Sequence, residues 1–135
     1  MNLFVYGTLL FPEIRNLVGR RQFQAADATL EGFEIYRVKN AAYPGIVEQD
    51  GGTVPGQILR HITPAEIDFF DQYEDDFYQR ITVAVTTPDE SVISAECYAV
   101  PSITSREILT KVVWTADWFT TNHYADFLNR LKSFG

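Results

Sequence analysis

The sequence FVYGTLL, residues 4–10, lies almost at the start of the chain and sets the first strand of the fold. Its first half is an apolar run of β-branched and aromatic residues, which predicts a buried strand. Gly7 then interrupts the run, and Thr8 adds a hydroxyl group. Two interpretations of the glycine stay open at this point: a simple turn or bulge, or a bend whose backbone N–H groups hold an anionic ligand.

Composition and charge narrow the class of protein. The 135 residues, 46% of them hydrophobic and 21% charged, predict one globular domain over residues 1–135. The formal net charge is −7, and the eleven Lys and Arg residues are scattered along the chain. This charge distribution provides no positive surface that would attract nucleic acid or an anionic membrane, so we expect neither as a partner. A small anionic metabolite is compatible with this charge, since one local pocket can oppose the net sign.

Cysteine content and hydropathy indicate the compartment. Cys97 is the one cysteine, so no intrachain disulfide is possible, as is typical of a reducing compartment. Its neighbours Glu96 and Tyr98 provide no cation that would stabilise a thiolate, so we interpret Cys97 as a core residue. No basic segment precedes the first apolar run, and no apolar stretch approaches about 18 residues. We therefore expect a cytoplasmic protein without membrane association.

The rest of the chain shows short strands and helices without a regular β-α-β order. The clearest helix signal is Thr63-Pro64-Ala65-Glu66, a capping box followed by an apolar run. Another helix is predicted from Pro12, and helical patterns recur after Thr104. Further strands are predicted over residues 23–30, 33–38, 53–61, 81–86 and 92–100, with a brief one after the turn at 43–45. About six or seven strands and three helices predict an α+β fold: a small mixed, mostly antiparallel curled β-barrel flanked by helices.

The helix after the capping box places one carboxylate on its apolar face. On a helical wheel with 3.6 residues per turn, the large apolar side chains share one arc and most acidic ones lie opposite. Glu74 falls within the apolar arc, between Phe70 and Ile67. An ionised carboxylate there is costly unless hydrogen-bonded, and desolvation raises its pKa toward the range useful for proton transfer. The wheel therefore makes Glu74 a candidate general acid or base.

Two other interpretations of Glu74 stay open. The helix can end at Tyr73, so that Glu74 turns into solvent beside Asp75 and Asp76. Alternatively, Glu74 can form a buried ion pair with Arg80 that has no chemical role.

Other site chemistries find no support in the motifs. The acidic residues around Glu74 lack the ligand spacing and internal glycine of a calcium loop. His61 and His123 lie far apart without ligand partners at zinc spacing. No Gly-x-Ser-x-Gly elbow occurs, and no Gly-x-Gly-x-x-Gly follows the first strand. We therefore expect an enzyme, if the protein is one, to work without metal or organic cofactor.

Four short motifs together resemble the gamma-glutamylcyclotransferase-like family, in its branch of gamma-glutamylamine cyclotransferases and avirulence-induced-gene-like proteins. FVYGTLL at 4–10 is similar to that family's Tyr-Gly-Thr-Leu signature, and YPGIV at 43–47 looks like its second block. DQYEDDFYQR at 71–80 resembles its Asp-x-Phe-Glu…Tyr-x-Arg block, and TADW at 115–118 resembles a tryptophan-containing segment near its C-terminus. All four occur in the family's order across nearly the whole chain.

The resemblance implies a reaction and a site. The reaction is the cofactor-free cyclisation of a gamma-glutamyl amine or dipeptide-like substrate, which releases 5-oxoproline with one glutamate as general acid and base. By position that catalytic glutamate is Glu74, although Asp75 stands where the family often has glycine. The backbone N–H groups of Gly7, Thr8 and Leu9 would hold the substrate's α-carboxylate. The substrate-binding loop implied in this way consists of Tyr6, Gly7, Thr8, Leu9, Leu10 and Phe11.

Two functions of other classes stay open beside this one. The protein can be a small-molecule or protein-binding module that keeps the family's cavity without turnover, since the short chain leaves little length for substrate-selecting insertions. It can also be an acidic adaptor that presents Asp75 and Asp76 to a basic partner.

Overall fold

The computed structural model describes residues 1–134, which form five strands and five helices. The strands are β1 Leu3–Val5, β2 Ala25–Arg37, β3 Pro44–Leu59, β4 Gln79–Thr86 and β5 Val92–Ala99. The helices are α1 Pro12–Gly19, α2 Pro64–Tyr73, α3 Ser105–Ile108, α4 Ala116–Asn122 and α5 Tyr124–Phe134, with 3-10 turns at Thr8–Leu10 and Ser102–Thr104. Within this described range, none of the helices has the length and hydrophobicity needed to cross a membrane.

The strands form a closed barrel in the order β1-β3-β2-β4-β5, in which the last strand returns to the first. β1 pairs antiparallel with β3, so that Leu3 lies opposite Leu59, and it pairs parallel with β5. The other neighbours are antiparallel. The prediction of an α+β fold with a mixed, mostly antiparallel curled barrel and flanking helices is therefore confirmed.

β1 is paired along both edges and its side chains lie in the core. Leu3, Phe4 and Val5 each expose at most 2% of their surface. Burial of such side chains stabilises a fold by about 1.5–3 kcal/mol each. This anchoring fixes the point at which the chain leaves the barrel at Tyr6, and hence the position of the loop that follows.

The strand count differs from the prediction because two glycine-containing segments do not end a strand. The sequence predicts breaks at Glu31-Gly32 and at residues 50–52, but β2 and β3 run through both. Their pairing shifts register between Glu31 and Phe33, and the extra residues of β3 form a bulge. Gly32 and Gly51 have φ values of 84° and 77°, which glycine adopts without strain, so the strands bend instead of stopping. The helical region after Thr104 differs in the opposite direction: it is predicted as one helix and forms three.

α2 is fixed at its start by the predicted capping box. Thr63 Oγ1 accepts a hydrogen bond from the Glu66 N–H at 3.2 Å, and the Glu66 carboxylate accepts one from the Thr63 N–H at 3.0 Å. Arg21 forms an ion pair with the same carboxylate. The helix buries Ile67 and Phe70 in the main hydrophobic core. Its C-terminal end is thereby held beside the loop that follows β1.

Candidate active site

A cavity of about 220 Å³ lies where the loop after β1, the start of β3 and the end of α2 meet. Three of the four motif segments, far apart in the sequence, contribute to its walls, whereas TADW does not. The lining residues are Phe4, Val5, Tyr6, Gly7, Thr8, Leu9, Tyr43, Pro44, Tyr73, Glu74, Asp75, Tyr78, Tyr98 and Phe127. The cavity therefore brings Glu74 together with four of the six loop residues that the resemblance implied.

Glu74 reaches this cavity from the C-cap position of α2, directly after Tyr73, where the backbone leaves the helix. Its N–H still donates to the Phe70 carbonyl at 3.2 Å, but its own φ and ψ of −78° and 142° are extended. The helix thus ends at Tyr73, as one of the alternative interpretations has it. The carboxyl nevertheless lines the cavity. The helical wheel gave the inward direction even though the helix does not continue through Glu74.

The carboxyl of Glu74 has no protein partner within residues 1–134: no group there donates a hydrogen bond to it, and no cation pairs with it. The expected alternative of an ion pair with Arg80 is wrong, because Arg80 pairs instead with Asp71 at 3.3 Å and with Glu96 at 3.6 Å. Glu74 is half-buried, since it keeps surface toward the cavity while protein surrounds it elsewhere. Burial, followed by the charges of Asp75 and Asp71, raises the pKa of Glu74 to about 8.

Five tyrosines line the cavity, and the hydroxyl of each is engaged by the protein. Tyr6 donates to the Tyr98 carbonyl and Tyr98 donates to Asp71 Oδ1, both at 2.6 Å. Tyr43 donates to Asp75, and Tyr78 donates to the Pro44 carbonyl. The Tyr73 hydroxyl lies 2.7 Å from Thr8 Oγ1 and joins the end of α2 to the loop.

These hydrogen bonds leave the tyrosines neutral and fixed. Burial is the largest cause of a raised pKa at each of the five. Asp75, the other carboxylate of the lining, already accepts a hydrogen bond from the Tyr43 hydroxyl. Glu74 is therefore the acid or base of the cavity whose proton-bearing atoms are available to a ligand.

The loop after β1 presents a second set of unpartnered groups. The 3-10 turn uses the N–H groups of Leu10 and Phe11, which donate to the Gly7 and Thr8 carbonyls at 2.9 and 3.2 Å. Over the described part of the chain, the N–H groups of Gly7, Thr8 and Leu9 donate to no protein acceptor, although all three residues are buried. Buried amides of this kind are normally satisfied, so a ligand or solvent is their natural partner.

Gly7 is required by a close approach. A Cβ atom at this position would lie 2.5 Å from Pro44 Cγ and 2.8 Å from Pro44 Cδ. The ring of Pro44, from the YPGIV motif, occupies the space that a side chain would need. The absent side chain therefore lets two motif segments share one wall of the cavity.

Leu10 and Phe11, also implied as substrate-binding residues, do not line the cavity. The Leu10 carbonyl accepts a hydrogen bond from Arg15 at 3.0 Å. The ring of Phe11 packs on Phe119 and Tyr124, with centroid distances of 5.2 and 5.0 Å. They hold the loop against α1, α4 and α5 instead of facing the cavity.

The raised pKa of Glu74 predicts a pH-dependent effect on stability. The carboxyl titrates near 8 in the folded chain and near 4.5 in the unfolded chain, so the fold favours its neutral form. Stability from this group is complete below about pH 4.5 and is lost as the pH rises through 8. We expect Glu74→Gln to match wild type at pH 4 and to exceed it by about 2 kcal/mol at pH 9, after allowance for partial exposure.

Urea denaturation at several pH values measures this difference in the free energy of unfolding. Asp76→Asn serves as the matched control, because Asp76 is exposed and lies outside the cavity lining. A difference between Glu74→Gln and wild type that is constant from pH 4 to pH 9 would contradict the raised pKa.

Comparison with known proteins shows where this architecture recurs. The model of the family described as Gamma-glutamyl cyclotransferase, AIG2-like matches residues 3–119. Protein AIG2 C from Arabidopsis thaliana is 37% identical over 90 residues, which are 67% of this chain and 54% of that protein. The chain thus spans about half the length of the first curated relatives that it matches.

Solved structures show the same barrel. The solution structure of an Arabidopsis thaliana protein superposes with a TM-score of 0.74 at 27% identity, covering 98% of this chain and 80% of that one. A structure titled gamma-glutamyl cyclotransferase superposes with a TM-score of 0.65 at 17% identity, covering 98% of this chain and 86% of that one. At that identity the second likeness shows the fold alone.

Proposed function

The chain belongs to the gamma-glutamyl cyclotransferase, AIG2-like family, and from this premise we propose that it cyclises γ-glutamyl amides to 5-oxoproline and a free amine. The observation that carries the proposal is one cavity that holds both the carboxyl of Glu74 and the amides of residues 7–9, none of which has a partner among residues 1–134. A γ-glutamyl group carries the complementary features, an α-ammonium beside an α-carboxylate. No metal or organic cofactor has a role in this scheme.

Binding begins with the α-carboxylate on the loop. Successive backbone N–H groups form a concave donor site for an anion without any Lys or Arg. Gly7, Thr8 and Leu9 provide such donors at the wall opposite Glu74 in our proposal. With the α-carboxylate held there, the α-ammonium is directed toward the Glu74 carboxylate. This orientation converts ring closure into an intramolecular attack with a high effective concentration.

Ring closure then needs proton transfers at two nitrogen atoms. Glu74 takes one proton from the α-ammonium, and the free α-nitrogen attacks the γ-carbonyl carbon. Glu74 returns that proton to the leaving nitrogen as the bond from this nitrogen to the γ-carbon breaks. It then accepts the surplus proton of the ring nitrogen and passes it to the product amine, which leaves as an ammonium ion. One carboxyl serves as base and as acid in the same turnover.

The pKa of Glu74 suits this exchange. Burial raises the pKa of Glu74 to about 8, which brings it much closer to the pKa of an α-ammonium than that of an ordinary carboxyl is. The smaller the pKa difference between two groups, the less free energy a proton transfer between them costs in either direction. The neutral tyrosines around Glu74 contribute fixed dipoles.

Turnover of a substrate panel tests the proposal. The protein is incubated with γ-glutamyl alkylamines and γ-glutamyl dipeptides, and 5-oxoproline and the freed amine are quantified by mass spectrometry. We expect equal amounts of both products, and none from the α-glutamyl isomers, which cannot expel the amine by five-membered ring closure. Binding of these compounds by NMR without either product would favour the non-catalytic binding module and reject the enzyme.

A further inference from the structure

A second depression, of about 700 Å³, lies beside the cavity and shares two of its wall residues, Tyr43 and Phe127. We name it the β2–α5 groove, because its other walls come from the end of β2, the segment before β3, and helices α4 and α5. The two depressions are therefore neighbours on either side of Tyr43 and Phe127. The volume of the groove is that of small-ligand sites.

The groove is basic in an acidic protein. Its lining contains Arg37, His123 and Arg130 but no Asp or Glu, whereas the whole chain has a net charge of −7. Within residues 1–134, the side chains of these three residues make no hydrogen bond and no ion pair with the protein. Three basic side chains without a carboxylate among the walls favour an anionic occupant.

Arg37 is the most constrained of the three. It lies opposite Pro44 in the β2–β3 pairing, and Pro44 lines the cavity. Its guanidinium carbon stacks 3.8 Å above the centre of the Trp118 ring, where His123 also packs at 4.7 Å. Its Nε is buried and has no acceptor in the described structure. A stacked guanidinium keeps its N–H donors free along the edge, in the fork geometry that matches a carboxylate.

We propose that the β2–α5 groove binds the leaving portion of the substrate and that Arg37 selects a leaving amine which carries a carboxylate. The inference rests on the proposed cyclotransferase function and narrows its substrate class. The γ-glutamyl half occupies the cavity, and the chain that bears the leaving nitrogen passes Tyr43 and Phe127. Its carboxylate meets the edge of the Arg37 guanidinium, with Arg130 beside it. Neutral alkylamines lack this contact and leave the Arg37 donors unsatisfied.

Matched substrate pairs test the selection. γ-Glutamyl conjugates of ω-amino acids with two to six methylene groups are compared with the corresponding ω-amino carboxamides, which have the same shape without the charge. At the best chain length we expect kcat/KM for the acid to exceed that for the carboxamide by about tenfold in wild type. Arg37→Met should remove most of this preference by slowing only the acid, and the remainder is due to Arg130. Arg37→Lys, which keeps the charge without the fork, should give an intermediate ratio.

Two further variants serve as a charge control and as a second test of the groove. Arg60→Met removes an equal charge at an exposed position outside the groove and should keep the wild-type ratio. Arg130→Gln, at an exposed position of α5, should lower the ratio partially without a risk to the fold. An unchanged ratio in Arg37→Met, with a wild-type melting temperature, would overturn the proposal.

A binding measurement separates this inference from the proposed function. If no conjugate is turned over, the cyclotransferase proposal fails, and the groove is then tested with 6-acetamidohexanoate and 6-acetamidohexanamide alone. The Trp118 indole N–H signal in NMR reports binding beside Arg37. Tighter binding of the carboxylate by wild type but not by Arg37→Met supports the anion subsite. Equal binding of the two probes contradicts it, whatever the outcome of the turnover assay.

Discussion

Glu74→Gln is expected to lower the rate of 5-oxoproline release by about 10²- to 10⁴-fold, the usual contribution of a positioned general acid or base. The amide has nearly the same shape as the carboxylic acid but can neither accept the proton of the α-ammonium nor return one to the leaving nitrogen. Since the carboxyl has no protein partner in the described chain, no structural contact is lost. The measurement is kcat for the best substrate of the panel.

The controls for this variant separate chemistry from folding. Asp76→Asn removes one negative charge two residues away and should retain activity within about twofold, because Asp76 does not line the cavity. The pH series for unfolding shows in the same samples that Glu74→Gln is folded. A folded Glu74→Gln protein that releases 5-oxoproline at the wild-type rate would remove Glu74 from the mechanism.

Gly7→Ala is expected to lower both stability and activity, although it adds a single methyl group. The new Cβ would lie 2.5 Å from Pro44 Cγ, so the loop or the proline must move. Overpacking of this kind costs about 1–3 kcal/mol of stability. A displacement of about 1 Å in a substrate-holding loop can cost about 100-fold in rate. Urea denaturation and kcat/KM measure the two effects.

A double-mutant cycle with Pro44→Ala isolates the cause. If contact with the proline ring is the reason for the glycine, Gly7→Ala should cost much less stability when residue 44 is already alanine. The single variant Pro44→Ala keeps the carbonyl that accepts the Tyr78 hydroxyl. Equal costs of Gly7→Ala in both backgrounds would show that the methyl group acts elsewhere, for example on the backbone amides.

The catalytic candidate was predictable because its signal is local. The capping box at Thr63 fixes where α2 begins, so the positions that follow can be assigned to helix faces by counting. Glu74 is the carboxylate that this count turns inward. The count fails only in its last step, because α2 ends at Tyr73 and Glu74 continues as extended chain. The side chain keeps its direction since this is the first residue beyond the helix.

The rest of the site was harder to predict from the sequence because it depends on contacts between residues far apart in the chain. Tyr98 faces the cavity from β5 and bonds to Asp71, a contact between residues far apart in the chain. Arg37 carries no motif, and its place beside the cavity depends on the β2–β3 pairing. The reach of the loop was overestimated for a related reason: Phe11 packs on α4 and α5, whose positions no local pattern gives.

Local chemistry is thus sufficient for the fold class, the buried first strand, the helix start and the inward carboxylate, since each depends on neighbours within a few residues. Barrel closure, the continuity of β2 and β3 and the meeting of Gly7 with Pro44 depend on contacts across the whole chain. The cavity and the β2–α5 groove arise from those distant contacts. They become visible only once the strands have paired and the helices have packed around the barrel.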